Sequence, residues 1–334
     1  MEYYPRTINW ELTSKRTRES GPGEIGTELG RDPALSIASQ LNSLHVEKVN
    51  LAGDDTLKYS SWPVLVSTLA RNGIKVELIT YAPIPEKETI DKIHDSGITK
   101  IIFGLDGLAA NHDFVHKRPD LFKSILNDIE NALSANLQVG VVTMVSDKNI
   151  DDLPMMLYII HAAGITNWKL QAMTVTSPWH VHGNIPIGDN TFQRLRIFLQ
   201  LMGPQAKKLG ISLELADNIG YYDDGDTRAL PWNGCPGGKS ECAITCNGMV
   251  KGCLLLTDAL IEGDLHKRPF AEIWQDPSSF AYTRQFDKAN LGPNCTDCGH
   301  WEECRGGCSA MSLTLTGRMH NNPFCFCGME SREQ

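Results

Sequence analysis

The chain has 334 residues, 41% hydrophobic and 21% charged, an ordinary balance for a globular protein with one large domain and one smaller one. Its formal net charge is −9, and no basic stripe offsets it, which argues against broad binding to a nucleic-acid backbone. No apolar run reaches the roughly 18–20 residues of a membrane helix. Met1-Glu2-Tyr3-Tyr4-Pro5-Arg6 also lacks the charged and apolar regions of a signal peptide, so a cytoplasmic protein without membrane or nucleic-acid partners is expected.

The N-terminal region alternates two textures. Short apolar runs predict strands at Ile8–Leu12, Lys48–Ala52, Lys75–Tyr81, Lys100–Gly104, Val139–Val145 and Trp168–Ala172. Between and after them, amphipathic stretches predict helices over 33–44, 61–72, 86–96, 119–135, 150–163 and 190–209. Pro33, Pro63 and Pro154 stand near helix starts, where a missing N–H costs little. Gly73, Gly97 and Gly164 follow helix ends, as left-handed capping glycines do. Strand–helix units in series imply parallel strands joined by right-handed crossovers. That pattern fits either a partial α/β barrel or an open doubly wound sheet, and both carry their sites at the C-terminal ends of the strands.

Past residue 217 the pattern changes, and a boundary is expected there, with a first domain over 1–217 and a second over 218–334. Tyr221-Tyr222-Asp223-Asp224-Gly225-Asp226 is an acidic loop, and a segment rich in cysteine and glycine follows it. Within that segment Asn247-Gly248, flanked by Ala243–Thr245 and Met249–Leu256, predicts a β-hairpin.

All ten cysteines lie beyond residue 234. Cys235 is followed by twelve residues, Gly248, four residues and Cys253. Cys295, Cys298, Cys304 and Cys308 are then spaced x2, x5 and x3, and Cys325 closes the run. Five disulfides suit neither the size of the chain nor a reducing compartment. A tetrahedral zinc site is a second reading, with a hairpin supplying one cysteine pair and Cys-x2-Cys the other. Iron–sulfur clusters fit best, because each cubane takes four thiolates and eight of the cysteines divide into two sets of four.

With this spacing the chain resembles the SPASM subgroup of the radical S-adenosylmethionine (SAM) superfamily, many of whose members modify peptides or proteins. Ile8-Asn9-Trp10-Glu11-Leu12-Thr13 resembles the family's first strand, Leu105-Asp106-Gly107 with His112-Asp113 its fourth strand and loop, and Leu170-Gln171 the end of its sixth. The resemblance implies an α/β fold, a partial (β/α)6 TIM-like barrel with a C-terminal cysteine-rich SPASM domain. It also implies two auxiliary [4Fe–4S] clusters. Cys235, Cys242, Cys253 and Cys308 would hold the cluster nearer the barrel, and Cys295, Cys298, Cys304 and Cys325 the outer one. Cys246 competes with Cys242 for the first set, and its place at the Asn-Gly turn makes it the weaker candidate. Cys327 is left spare.

The departures from the family pattern bear on function. The Cys-x3-Cys-x2-Cys that binds the SAM-cleaving cluster aligns with Arg16, Ser20 and Gly23, none of which offers a thiolate, and Arg16 puts a fixed positive charge where iron would sit. The Gly-Gly-Glu-Pro that meets the SAM amino group reads Ala52-Gly53-Asp54-Asp55, the serine before Leu-Asp-Gly is Gly104, and Thr-Asn-Gly reads Thr80-Tyr81-Ala82. The pattern is that of a pseudo-enzyme. SAM cleavage by the chain alone is not expected, and SAM binding is in doubt. A residual pocket at the barrel mouth would use Asp54, Asp55, Asp106 and Gln171. The leading expectation is an electron-relay or substrate-presenting partner of an intact radical SAM maturase, a precursor peptide, or both. Two alternatives stand beside it, an enzyme acting at an auxiliary cluster or a residual SAM pocket, and a structural adaptor whose clusters only stabilise it.

Other features read as structural. His180 and His182 are expected to be loop contacts rather than a metal pair, Asp54 and Asp55 to sit at a solvated strand end, His112-Asp113 to organise the loop after the fourth strand, and Met155, Met156 and Met173 to belong to the core.

Overall fold

The structure is a computed structural model that describes residues 3–13, 27–53, 55–84, 86–174, 187–221 and 234–330. In chain order the elements are β1 (Thr7–Glu11), α1 (Arg31–Ser43), β2 (Lys48–Ala52), α2 (Trp62–Arg71), β3 (Lys75–Thr80), α3 (Lys87–Ser96), β4 (Ile98–Gly104), α4 (Ala109–His116), α5 (Leu121–Ser134), β5 (Gln138–Val145), α6 (Leu153–Ala162), β6 (Asn167–Ala172), α7 (Asp189–Lys208) and β7 (Ser212–Leu215). After them come β8 (Glu241–Ile244), β9 (Met249–Lys251), β10 (Ile261–Asp264), α8 (Phe270–Gln275), α9 (Ala281–Arg284), α10 (Trp301–Cys304), α11 (Ser309–Thr316) and α12 (Phe326–Glu330). Among the described residues the architecture is mixed α/β with ten strands, mostly parallel. The residues fall into two compact units, one of 1–102, 130–138 and 236–285, the other of 103–129, 139–235 and 286–334.

In the first unit the strand order is β10-β9-β8-β1-β2-β3-β4. β1 lies parallel to β2, with Asn9 opposite Asn50, and parallel to β8, with Ile8 opposite Cys242. Alternation along the strands buries Ile8 and Trp10 of β1, Val49 and Leu51 of β2, and Val76 and Leu78 of β3. Helix α2 packs between α1 and α3 and buries Leu65, Val66 and Leu69 on one stripe. Each such leucine contributes about 1.5–3 kcal/mol on leaving water. Gly97 ends α3 at φ 100°, and a Cβ there would stand 2.8 Å from the Cβ of Ala70 on α2, so glycine is needed for both backbone and packing. The expected hairpin is present: β8 and β9 are antiparallel around Cys246-Asn247-Gly248, closed by Thr245 N–H donating to Met249 O at 2.9 Å.

In the second unit β5, β6 and β7 are parallel neighbours in that order. Helix α6 buries Leu153, Met156, Leu157 and Ile160, and α7 buries Phe192, Leu195 and Leu199. Two details depart from the sequence expectation. Met155 is 55% exposed, because the inward stripe of α6 falls on 153, 156, 157 and 160. The segment before α5 holds an extra short helix, α4, whose histidines are buried by the strand ends rather than by an apolar stripe.

Candidate metal centre

The outer set of cysteines lies wholly in the second unit. Cys295 and Cys298 sit on a tight turn, in which Cys295 N–H donates to Gly292 O at 2.8 Å and Cys298 N–H to Cys295 O at 3.2 Å. One turn of helix, α10, then carries the chain to Cys304. The backbone reverses through Arg305, Gly306 and Gly307, all at positive φ (52°, 80° and 77°). A Cβ on Gly306 would come within 2.4 Å of the His320 backbone, and one on Gly307 within 2.7 Å of the Asn322 side chain, so these two glycines let separate stretches of chain close on each other. Cys325 arrives just before α12, whose Phe326 stacks on Phe192 with centroids 4.5 Å apart.

Cys295, Cys298, Cys304 and Cys325 line one cavity, walled by Gly220, Asn294, Trp301, Gly306, Gly307, Asn322 and Gly328. Burial pushes the Cys295 thiol up to about 12, and the neighbouring Cys304, Cys325 and Cys298 add to the shift. Burial likewise raises Cys325. Four soft donors whose ionised forms repel one another in a small enclosed space gain from cationic iron between them, so the donor set fits an iron–sulfur cluster. His300 N–H donates to Cys298 Sγ at 3.4 Å. Among the described residues, no three His, Cys, Asp or Glu side chains are already arranged around a single-ion position.

The other set divides between the units. Cys235 and Cys308 belong to the second, Cys242 and Cys253 to the first. Cys242 is fully buried in β8, and burial raises its thiol, with Glu241 adding and Arg284 opposing. Cys253 Sγ accepts from Leu255 N–H at 3.4 Å. Cys246 is also fully buried; its N–H faces Glu11 Oε2 at 3.4 Å and its carbonyl accepts Leu29 N–H at 2.8 Å. Burial pushes its thiol up to about 12, with Glu11 and Glu28 adding.

Of the barrel-mouth residues, Asp106 and Gln171 belong to the second unit and Asp55 to the first. Asp106 is fully buried, with Oδ2 2.8 Å from His116 Nε2 and Oδ1 accepting Met144 N–H at 2.7 Å. Its own N–H donates to His112 Nδ1 at 2.9 Å. Asn149 Nδ2 donates to Met144 O at 2.8 Å, and Asp152 Oδ2 accepts Leu108 N–H at 2.8 Å. This network, which ties the loop after β4 to the end of β5, is the work of His116, Asn149 and Asp152 as much as of Asp106, and sequence reasoning passed over those three. Asp113 secures the far side of α4, accepting Asp120 N–H at 2.8 Å and Phe122 N–H at 2.9 Å. Gln171 is half-buried on β6 opposite Met144, and Asp55 pairs with Lys58 at 3.3 Å. Asp54, Arg16, Ser20, Gly23, His180 and His182 lie outside the described residues.

Residues 235–299 match SPASM, an iron–sulfur cluster-binding domain. The chain is similar to the AdoMet-dependent heme synthase of Methanosarcina barkeri, 23% identical with 96% of each chain covered. It is also similar to the mycofactocin maturase MftC of Mycolicibacterium smegmatis, 23% identical over 96% of this chain and 81% of that one. Among solved structures, Streptococcus suis SuiB bound to its precursor peptide SuiA superposes with a TM-score of 0.73 at 13% identity, covering 94% of this chain and 74% of that one. The AdoMet-bound native anSMEcpe gives a TM-score of 0.73 at 11% identity, with 98% and 95% covered. These likenesses establish the TIM-like α/β fold. No helix among the described residues is long and apolar enough to cross a membrane.

Proposed function

We propose that the chain is a member of the radical SAM/SPASM family of iron–sulfur proteins that works beside a radical SAM maturase without cleaving SAM itself. In this reading residues 1–217 are a binding scaffold and residues 218–334 carry two [4Fe–4S] clusters, one on Cys235, Cys242, Cys253 and Cys308 and one on Cys295, Cys298, Cys304 and Cys325. The observation that carries the reading is that residues 1–234 hold no cysteine, so the family's SAM-cleaving Cys-x3-Cys-x2-Cys has no counterpart there; the resemblance aligns its three positions with Arg16, Ser20 and Gly23. Without those thiolates the chain has no ligands with which to hold the iron that would reduce SAM.

When bound, the clusters supply one-electron transfer. The chain's own part is to hold and tune them. Leu255 N–H at Cys253 and His300 N–H at Cys298 draw charge from sulfur, which makes a cluster easier to reduce. Buried Cys304 and Cys308 keep water from part of each set. Asp106, with Met144 and His116, fixes the loop after β4 and so holds that strand end rigid. The partner in this reading is an intact radical SAM enzyme, a precursor peptide, or both; SuiB, a structural neighbour, has been solved with its precursor peptide.

Anaerobically prepared protein is expected to carry about eight irons and eight sulfides per chain and to form no 5′-deoxyadenosine when reduced with SAM. Catalytic formation of that product by the isolated chain would overturn the reading. So would peptide modification that proceeds unchanged when this chain is left out, together with no association at micromolar concentrations. A second reading, an enzyme acting on a tetrapyrrole, draws on the full-length similarity to a heme synthase, and porphyrin turnover by the isolated chain would favour it.

A further inference from the structure

We propose that Cys327 is a fifth thiol of the outer cluster site, facing the same iron as Cys298 and exchanging with it as ligand. This rests on the reading of the outer set as cluster ligands. Cys325 and Cys327 straddle Phe326, the first residue of α12. Cys325 lines the cavity, while Cys327 stands beside Cys298 with the two sulfurs 4.0 Å apart. Four thiolates hold the four irons of a cubane, so two thiols in contact would compete for one iron rather than share it. At 4.0 Å the two sulfurs are in contact, which puts Cys327 within reach of the position Cys298 would hold on its iron. Ligands on different irons of a cubane are held farther apart by the edge of the cluster.

The local chain allows the exchange. Phe326, stacked on Phe192, anchors the start of α12 and keeps Cys327 near the site whichever sulfur is bound. A change of χ1 swings a cysteine sulfur by roughly 3 Å, most of the distance to the Cys298 position. The step is a ligand substitution with no change of oxidation state. The iron–sulfur bond to Cys298 gives way to one from Cys327, which releases its proton, and Cys298 takes a proton up.

The test compares anaerobically prepared full-length chains by iron and sulfide content and by the electron paramagnetic resonance of the reduced clusters. About eight irons are expected in the wild type, in Cys298→Ala and in Cys327→Ala, and about four in Cys304→Ala and in the Cys298→Ala/Cys327→Ala double variant. The outer-cluster signal of Cys298→Ala should persist with shifted g values. A fall to about four irons in Cys298→Ala alone, matching Cys304→Ala, would overturn the exchange and leave the two-cluster reading standing; a fall in Cys327→Ala would overturn it too, by making Cys327 a resident ligand. Full iron in both Cys304→Ala and the double variant would instead remove the outer cluster. Cys298→Ser, of nearly the same shape, gives the same comparison if the alanine variant does not fold.

Discussion

Cys246 in the first unit and Cys295 in the second have thiols pushed up to about the same value, near 12, and burial is the main cause for both. What surrounds them differs. Glu11 and Glu28 add to the shift at Cys246, whereas Cys304, Cys325 and Cys298 add to it at Cys295. A carboxylate neighbourhood keeps a thiol protonated and inert. A neighbourhood of thiols does the same only until iron arrives, after which the groups that repelled one another become its ligands. On the proposed reading, the same shift would belong to a structural cysteine in one unit and to a cluster ligand in the other.

Four measurements press on this contrast, from the largest effect to the smallest. Replacing Cys295 by alanine should remove about half of the iron, four of some eight atoms, and loosen the second unit, whereas Cys246→Ala should leave the iron unchanged; iron analysis of the two variants side by side decides it. Gly306→Ala strikes the wall of the thiol cavity, where a Cβ would meet the His320 backbone at 2.4 Å on a residue at φ 80°. It should cost on the order of 3 kcal/mol or more in denaturant unfolding and lower iron retention with it.

Asp106→Ala removes a carboxylate from the same unit but away from the cysteines. It leaves Met144 N–H and His116 without that acceptor and should cost about 3 kcal/mol. Iron content should hold under conditions where the fold survives; iron loss from the folded protein would mean that the strand-end network and the thiol cavity are coupled. The mildest effect concerns pH. A thiol raised from 9.0 to about 12 favours the folded state below about pH 9, and that contribution is lost as pH rises from 9 toward 12. In iron-loaded protein, where the ligand thiols no longer titrate, Cys246→Ala should flatten the decline in stability over this window. An unchanged slope would show that Cys246 does not titrate there.

Much of the barrel was legible before any coordinates. Strand β2 falls where its apolar run placed it, and β3, β5 and β6 differ by a residue at an end, because alternation of buried and exposed side chains is a property of a few consecutive residues. The hairpin at Asn247-Gly248 was legible for the same reason. Cys295, Cys298, Cys304 and Cys325, grouped as one set on the resemblance, line one cavity. The α4 helix was missed because its buried face is built of His112, Val115 and His116, which carry no apolar period.

The sequence by itself determined the alternation of strands β1–β6 with most of their helices, the clustering of every cysteine beyond residue 234, and the absence of thiolates from residues 1–234. These depend on neighbours along the chain, and short-range periodicity and residue chemistry are enough to read them. Only the tertiary structure decided that Asp106 is held by Met144 and His116, that Cys246 lies against Glu11 across 235 positions of chain, and that Cys327 meets Cys298 at 4.0 Å. Each of these is a contact between segments distant in sequence. Strand register and the close approach of glycine-bearing turns bring such segments together, and no local pattern encodes either.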